Sequence, residues 1–512
     1  MFLVICAIIF AFISFRHGLK IKFGPIDDHE IFRFLGSKQE IKLLDMPNIL
    51  WSKTEIGTWG KTARYRPSYY TIRVLETKTF GANPTLWYGL RLISVALVSY
   101  VLTFVALQLA SLKQKPLIAA CGVISILTIL SLNSWTEVIL RLGPSEFYLV
   151  VGYALFFFFL LSNIQKPTLS LYLALFVSLI VVVGSKENGI ALLLPFLLLT
   201  VYLQQQRVLS KSTASILSFL AVVYSALVFL GPLIFIKTSG ADVYGNKRSI
   251  SESMKLGLDY IKSSEFQKLF SLVLVILLCA LLQRNHQGKS LKFVALAPLV
   301  SAFFVLQIIL EQIFYKGNFG EPRYALITEI SKTLLYLIAI FSVLGLIADM
   351  LSKRRFRAVS VLLVLILLSF PATYSNYKTS VTNNEKTALS KVESTRTYQE
   401  KIKSIVQAID NRSSENVVIQ MNNIWDYEPA YAIIKYLQYY SKGSNFYLNL
   451  QIPPVQPGLE TTLLTQLTDF QLNGSEVWNV KPRPTEFGID NFCITFNGAT
   501  GVPDVCQSTF GA

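Results

Sequence analysis

Eleven apolar blocks dominate this chain, at roughly 2–15, 86–110, 117–132, 146–163, 170–184, 190–204, 215–236, 268–283, 293–314, 327–350 and 358–371. Runs of about 20 apolar residues match a bilayer core about 30 Å thick, and a helix is the element that satisfies its own backbone there. Several blocks are shorter than that, so flanking Tyr, Trp, Lys or Arg must complete the crossing at the interface. The first block has no basic residue before it, and no small-residue cleavage site precedes the acidic run behind it. It reads as a retained helix rather than a signal segment. With 52% hydrophobic and 15% charged residues and a mean hydropathy of +0.48, the chain falls outside the range of soluble enzymes of similar length. The expected fold is a polytopic α-helical membrane domain over 1–371 with a small α/β domain over 372–512.

The loops give an orientation. If the N-terminus is cytoplasmic, the inner loops hold Lys113, Lys115, Lys166, Arg207, Lys211, Arg284, Lys289, Lys292, Lys353, Arg354, Arg355 and Arg357, with no Asp or Glu among them. That is a positive-inside pattern, and it places residues 16–85 and the tail outside. The net charge of +16 does not point to nucleic acid, because residues 372–512 carry eleven basic and thirteen acidic side chains. The excess sits on the membrane part, where inner-leaflet lipid and an anionic substrate are the natural partners. Cys6, Cys121 and Cys279 lie in apolar spans and read as small packing residues. Cys493 and Cys506 lie in the tail, close enough in sequence for a disulfide in an oxidising compartment.

Within the first outer loop, residues 29–45 suggest an amphipathic helix with Ile31, Phe34, Leu35 and Ile41 on its apolar side. Pro67 opens a second helix that runs to Phe80 and stops at Gly81, and Asn83-Pro84 opens the next span. Both loop helices are expected to lie along the membrane surface. In the tail, 384–410 reads as a helix with Ala388, Leu389, Val392, Ile402, Ile405 and Ile409 inward. Val417-Val418-Ile419 then reads as a strand, Glu428 to Tyr440 as a helix and Phe446 to Leu450 as a strand, the order of an α/β unit.

The charged motifs gather at outer ends of the spans. Asp27-Asp28-His29-Glu30 cannot enter hydrocarbon, so it marks a water-facing edge. A carboxylate there suits general base work on an acceptor hydroxyl, by Asp28 or Asp27, with Asp28 favoured because it adjoins His29, whose imidazole could share or orient the proton, and with Glu30 in support. Hard cations favour oxygen ligands, so the same motif admits a divalent cation, although no cofactor is required by the sequence. Arg64 and Arg66, in Arg64-Tyr65-Arg66-Pro67, offer planar forks for a phosphate; interfacial snorkelling is the plain alternative. Arg141-Leu142-Gly143-Pro144-Ser145-Glu146, Ser185-Lys186-Glu187 and Glu321-Pro322-Arg323-Tyr324 recur at the same face, with Lys186 and Glu187 able to pair with one another. Trp425-Asp426-Tyr427-Glu428-Pro429 is either a sugar-stacking acceptor surface or a helix N-terminus carrying a favourable acidic charge.

In order and spacing, Asp27-Asp28, Arg64-Tyr65-Arg66-Pro67, Arg141 to Glu146 and Ser185-Lys186-Glu187-Asn188-Gly189 resemble the GT-C superfamily of lipid-phosphosugar-dependent glycosyltransferases. The resemblance is nearest to the protein O-mannosyltransferases and to bacterial multi-span transferases that modify surface polysaccharide, and it covers about residues 1–350. It implies a polyprenyl-phosphate sugar donor and a glycan, glycolipid or protein acceptor, handled on the extracytoplasmic face of a bacterial inner membrane. It also implies a base at Asp27 or Asp28 and a phosphate grip by Arg64, Arg66, Lys186 or Arg323. Arg141, Glu146, Glu187 and Tyr324 would support these or face the acceptor. The chain lacks the tandem repeats of one mannosyltransferase branch, which weakens the case for a protein acceptor. Two other classes remain open: a transporter or flippase of lipid-linked saccharides, which predicts charges near the bilayer midplane rather than at one face, and a polymerase or ligase of such saccharides.

Overall fold

A computed structural model describes residues 1–36, 39–61, 64–239, 250–287, 291–315, 322–350, 355–412, 416–420, 427–440, 447–451, 478–480, 491–497 and 502–506. After α1 (Phe2–Phe15), the first loop folds into α2 (His29–Leu35), α3 (Met46–Ser52) and α4 (Pro67–Phe80). Next come α5 (Pro84–Leu109), α6 (Lys115–Leu130), the short α7 (Trp135–Ile139), α8 (Glu146–Gln165), α9 (Leu169–Ser185), α10 (Leu193–Gln205) and α11 (Lys211–Ser239). The bundle ends with α12 (Ile250–Ile261), α13 (Ser264–Gln287), α14 (Leu291–Tyr315), α15 (Pro322–Met350) and α16 (Arg355–Arg412).

Eight segments among the described residues are long and apolar enough to cross a membrane, from Phe2–Lys20 to Pro322–Met350, and α6 and α9 are shorter apolar helices. Their outward faces are apolar, with Ile93, Val177, Phe219 and Leu278 all more than half exposed. A surface of that kind suits lipid rather than water. The chain is thus an integral membrane protein. Of the eleven predicted spans, the last coincides with the start of α16, much of which has no described side chains.

Local chemistry sets the loop helices. Pro67 begins α4, and the Asn83 side chain accepts the Thr85 N–H (3.2 Å) at the start of α5. The expected helix over 29–45 is shorter than the apolar pattern suggests. Gly36 adopts a left-handed φ of 58° and donates its N–H to Phe32 O (2.8 Å), which ends α2 at Leu35. Ile41 is still buried, but in the irregular chain that follows.

α16 is one helix of 58 residues, so the predicted boundary between 371 and 372 falls inside it. It packs along α1 and α6 and then leaves the bundle. Leu389, expected on its apolar face, is exposed. Beyond it, β1 (Asn416–Gln420), α17 (Tyr427–Tyr440), β2 (Tyr447–Gln451), β3 (Trp478–Val480), β4 (Asn491–Asn497) and β5 (Val502–Val505) form a sheet of order β3-β2-β1-β4-β5. β1 pairs in parallel with β2 and β4, β2 with β3, and β5 runs antiparallel to β4. A disulfide joins Cys493 to Cys506. This domain sits directly on the first loop: Tyr436 OH donates to Gly24 O (2.9 Å), Gln399 Nε2 to Phe23 O (2.9 Å), and Phe32 packs on Tyr436 at 4.2 Å. The loop and the tail therefore lie at the same end of the bundle.

Candidate active site

Asp27 is the centre of the polar cluster at that end. It sits at a left-handed φ of 67°, unusual for a residue with a Cβ. Arg141, just past α7, donates from Nη2 to Asp27 Oδ2 at 2.8 Å and lies 3.7 Å from Glu137. Glu428, in the first turn of α17, accepts the Asp27 backbone N–H through Oε1 at 3.3 Å. Burial would raise the Asp27 carboxyl, but the guanidiniums of Arg141 and Arg323 outweigh it and hold it below the usual carboxylate range. Glu428 is moved the other way, by burial and by the charge of Asp27.

The wall behind Asp27 is the α7–α8 connection, and it is fixed by two arginines that belong to none of the charged sequence motifs. Arg73 Nη1 and Arg91 Nη2 both donate to Leu142 O, at 2.8 and 2.6 Å, from positions almost wholly buried. Their planes lie over aromatic rings, Arg73 over Trp87 at 4.6 Å and Arg91 over Phe147 at 3.6 Å. Tyr148 donates to Glu76, which supplies counter-charge nearby. Arg91 lies within an apolar helix, and a charge so placed is a signal in its own right.

Beside Asp27, α8, α9 and α15 bring further charges together. Lys186 pairs with Glu146, not with its neighbour Glu187, and its Nζ lies over the Tyr324 ring at 4.5 Å. Arg323 stacks on Tyr324 at 4.9 Å, and its charge reaches both Asp27 and Glu146. Deeper in, Glu311 accepts from Asn188 Nδ2 (2.6 Å) and Gln307 Nε2 (2.8 Å). Glu311 too was legible only as an acid within an apolar span.

Other predicted residues point elsewhere. Asp28 is buried and accepts the Gly24 N–H at 2.7 Å, and burial pushes its carboxyl up to about 7. His29 packs edge-on to Tyr431 at 4.8 Å, and burial together with the nearby Arg33 pushes it down to about 3, so it is neutral. Glu30 accepts from Tyr69 OH (2.6 Å) and lies 3.7 Å from Arg73. Arg66 forks onto Glu55, with Nη2 2.6 Å from Oε1 and Nε 3.2 Å from Oε2. Arg64 is partly exposed next to it. Glu187 is partly buried in a 3-10 turn over Glu187–Leu192. Glu321, Trp425 and Asp426 lie outside the described residues. Among the described residues, no group of three or more His, Cys, Asp or Glu side chains is arranged to hold a metal ion.

No protein-family profile matches the chain, and no curated protein matches it. Among solved structures, ArnT from Cupriavidus metallidurans bound to undecaprenyl phosphate is similar at 12% identity and a TM-score of 0.49, over 97% of this chain and 93% of that one. ArnT from the same organism in the apo state is similar at 14% identity and a TM-score of 0.44, over 97% and 92%.

Proposed function

We propose that this protein is a membrane glycosyltransferase that moves a sugar from a polyprenyl-phosphate donor to an acceptor hydroxyl on the extracytoplasmic face. The observation that carries the reading is the meeting of an ionised carboxylate, Asp27 on Arg141, with the cations Lys186 and Arg323 at one end of an apolar bundle. A lipid-linked donor needs hydrocarbon for its tail and cations for its phosphate, and the acceptor needs a base. All three adjoin here. The positive-inside pattern of the loops supports the extracytoplasmic assignment.

In this reading Asp27 takes the acceptor proton as the hydroxyl oxygen attacks the anomeric carbon. The bond from that carbon to the phosphate oxygen breaks, and the phosphate departs on the lipid with its charge met by Arg323 and Lys186. Glu146 holds Lys186 in place, and Tyr324 supports both cations. Of the two acids, the geometry favours Asp27. Asp28 turns its carboxylate to the Gly24 N–H, and burial raises it to about 7, so it is only about half ionised near neutrality whereas Asp27 is ionised. Arg66 is better suited to holding the loop through Glu55 than to the donor. The membrane bundle would make the catalytic domain, with α17 seated on its first loop.

The test is mass spectrometry of co-purified lipid, followed by sugar transfer in liposomes. A polyprenyl phosphate or its glycosyl conjugate, turned over with a hydroxyl acceptor, is the expected result. Lipid-linked saccharide that crosses the bilayer without being cleaved would overturn the reading in favour of a flippase.

A further inference from the structure

The left-handed backbone of Asp27 has to be imposed, because a residue with a Cβ loses about 1–3 kcal/mol in such a conformation. Three contacts impose it. Arg141 holds the carboxylate at 2.8 Å, and Gly143 leaves the space in which the Asp27 side chain lies. The third is the hydrogen bond from the Asp27 N–H to Glu428, 401 positions later in the sequence. That contact is not a loose surface encounter. α17 is seated on the first loop by Tyr436 on Gly24 O at 2.9 Å, by His29 against Tyr431 at 4.8 Å, and by Phe32 against Tyr436 and Tyr439 at 4.2 and 4.9 Å. Glu428 is thus delivered to Asp27 by a rigid helix, and its carboxyl is mostly out of water.

A second carboxyl beside the base is unfavourable unless it has a task, since two like charges in a buried site repel. Burial and the charge of Asp27 raise the Glu428 carboxyl against the pull of Arg141 and Arg323, so its neutral form is favoured and no second charge need sit beside the base. Its Oε1 accepts the Asp27 N–H whether or not the other oxygen carries a proton.

We propose that Glu428 is a positioning residue of the transfer reaction: by accepting the Asp27 backbone N–H, it fixes the turn that aims the Asp27 carboxylate, so that the C-terminal domain completes the active site. The inference rests on Asp27 being the base. It requires the tail to be seated whenever chemistry occurs.

The experiment uses the full chain in liposomes and compares Glu428→Ala, Glu428→Asp and Glu428→Gln with Asp27→Asn, measuring kcat and both KM values. Glu428→Ala and the shorter Glu428→Asp should lower kcat by about tenfold to a hundredfold, the usual cost of a base misplaced by about an ångström, with the donor KM unchanged. Glu428→Gln keeps the acceptor oxygen and should recover at least half of the lost kcat. If Glu428→Ala does not fold, Glu428→Asp against Glu428→Gln carries the same comparison. Collapse in Asp27→Asn with kcat within twofold of wild type in Glu428→Ala and Glu428→Asp would overturn the positioning role and leave the base assignment standing. An equal loss in Glu428→Gln would also overturn it. Normal turnover by Asp27→Asn would instead remove the base assignment on which the inference depends.

Discussion

Arg141 Nη2 lies 2.8 Å from Asp27 Oδ2, while a Cβ placed on Gly143, two residues beyond Arg141, would collide with the Asp27 side chain. The same short connection therefore provides both the counter-charge and the floor for the proposed base. Arg73 and Arg91 hold that connection by its Leu142 carbonyl, so the position of Asp27 is inherited from two buried cations it does not touch.

Asp27→Asn keeps the shape of the side chain but cannot take a proton. Turnover should fall about 10²–10⁴-fold with donor binding retained, measured as sugar transfer from a polyprenyl-phosphate donor. Asp28→Asn should lose far less. The reverse order would make Asp28 the base.

Gly143→Ala should act on the same site from below. The added methyl pushes Asp27 away from Arg141 and lowers kcat by about tenfold or more. Overpacking costs about 1–3 kcal/mol, so thermal unfolding should show a folded protein. An unimpaired kcat would mean that the floor gives way.

Asp28 makes stability depend on pH in an unusual sense. Its folded carboxyl is raised to about 7 from an ordinary value of 3.8, so between these the folded state binds the proton more tightly than the unfolded one. Stability from this group is present below about pH 4 and is lost as pH rises towards 7. Asp28→Asn should flatten the fall in Tm across that window. An unchanged Tm profile would show that Asp28 titrates normally.

Glu55 and Arg66 form a largely buried pair, at 2.6 Å. Removing one partner leaves a buried charge uncompensated, so Glu55→Ala should destabilise the protein by about 3–5 kcal/mol. Replacing both by apolar residues should recover much of that loss in denaturant unfolding. If Arg66→Ala instead weakens donor binding without loss of stability, Arg66 belongs to the phosphate grip.

What the sequence revealed is what neighbouring residues decide. Pro67, Gly81 and Asn83-Pro84 set helix ends through backbone chemistry a few residues long, and the helices appear where those residues put them. The tail strand at 417–419 and the helix reaching Tyr440 follow from local periodicity in the same way. Partners were another matter. Adjacency suggested Glu187 for Lys186, whereas the fold supplies Glu146 from the preceding helix, 40 positions earlier. Asp28 drew attention through its neighbour His29, yet consecutive residues in a turn point in different directions, and His29 packs against Tyr431 instead. No local pattern could connect Asp27 with Glu428.

α16 works as a ruler. It touches α1 through Tyr377, the proposed site wall through Lys391 and Leu140 O, and the first loop through Thr395 and Gln399, all along one continuous helix. A helix turns by about 100° per residue. One residue inserted between Tyr377 and Lys391 would swing every later contact off its target while leaving the helix itself intact. Changes of chain length should therefore be tolerated poorly there, and the spacing between the apolar bundle and the proposed site is written into the chain as a number of residues.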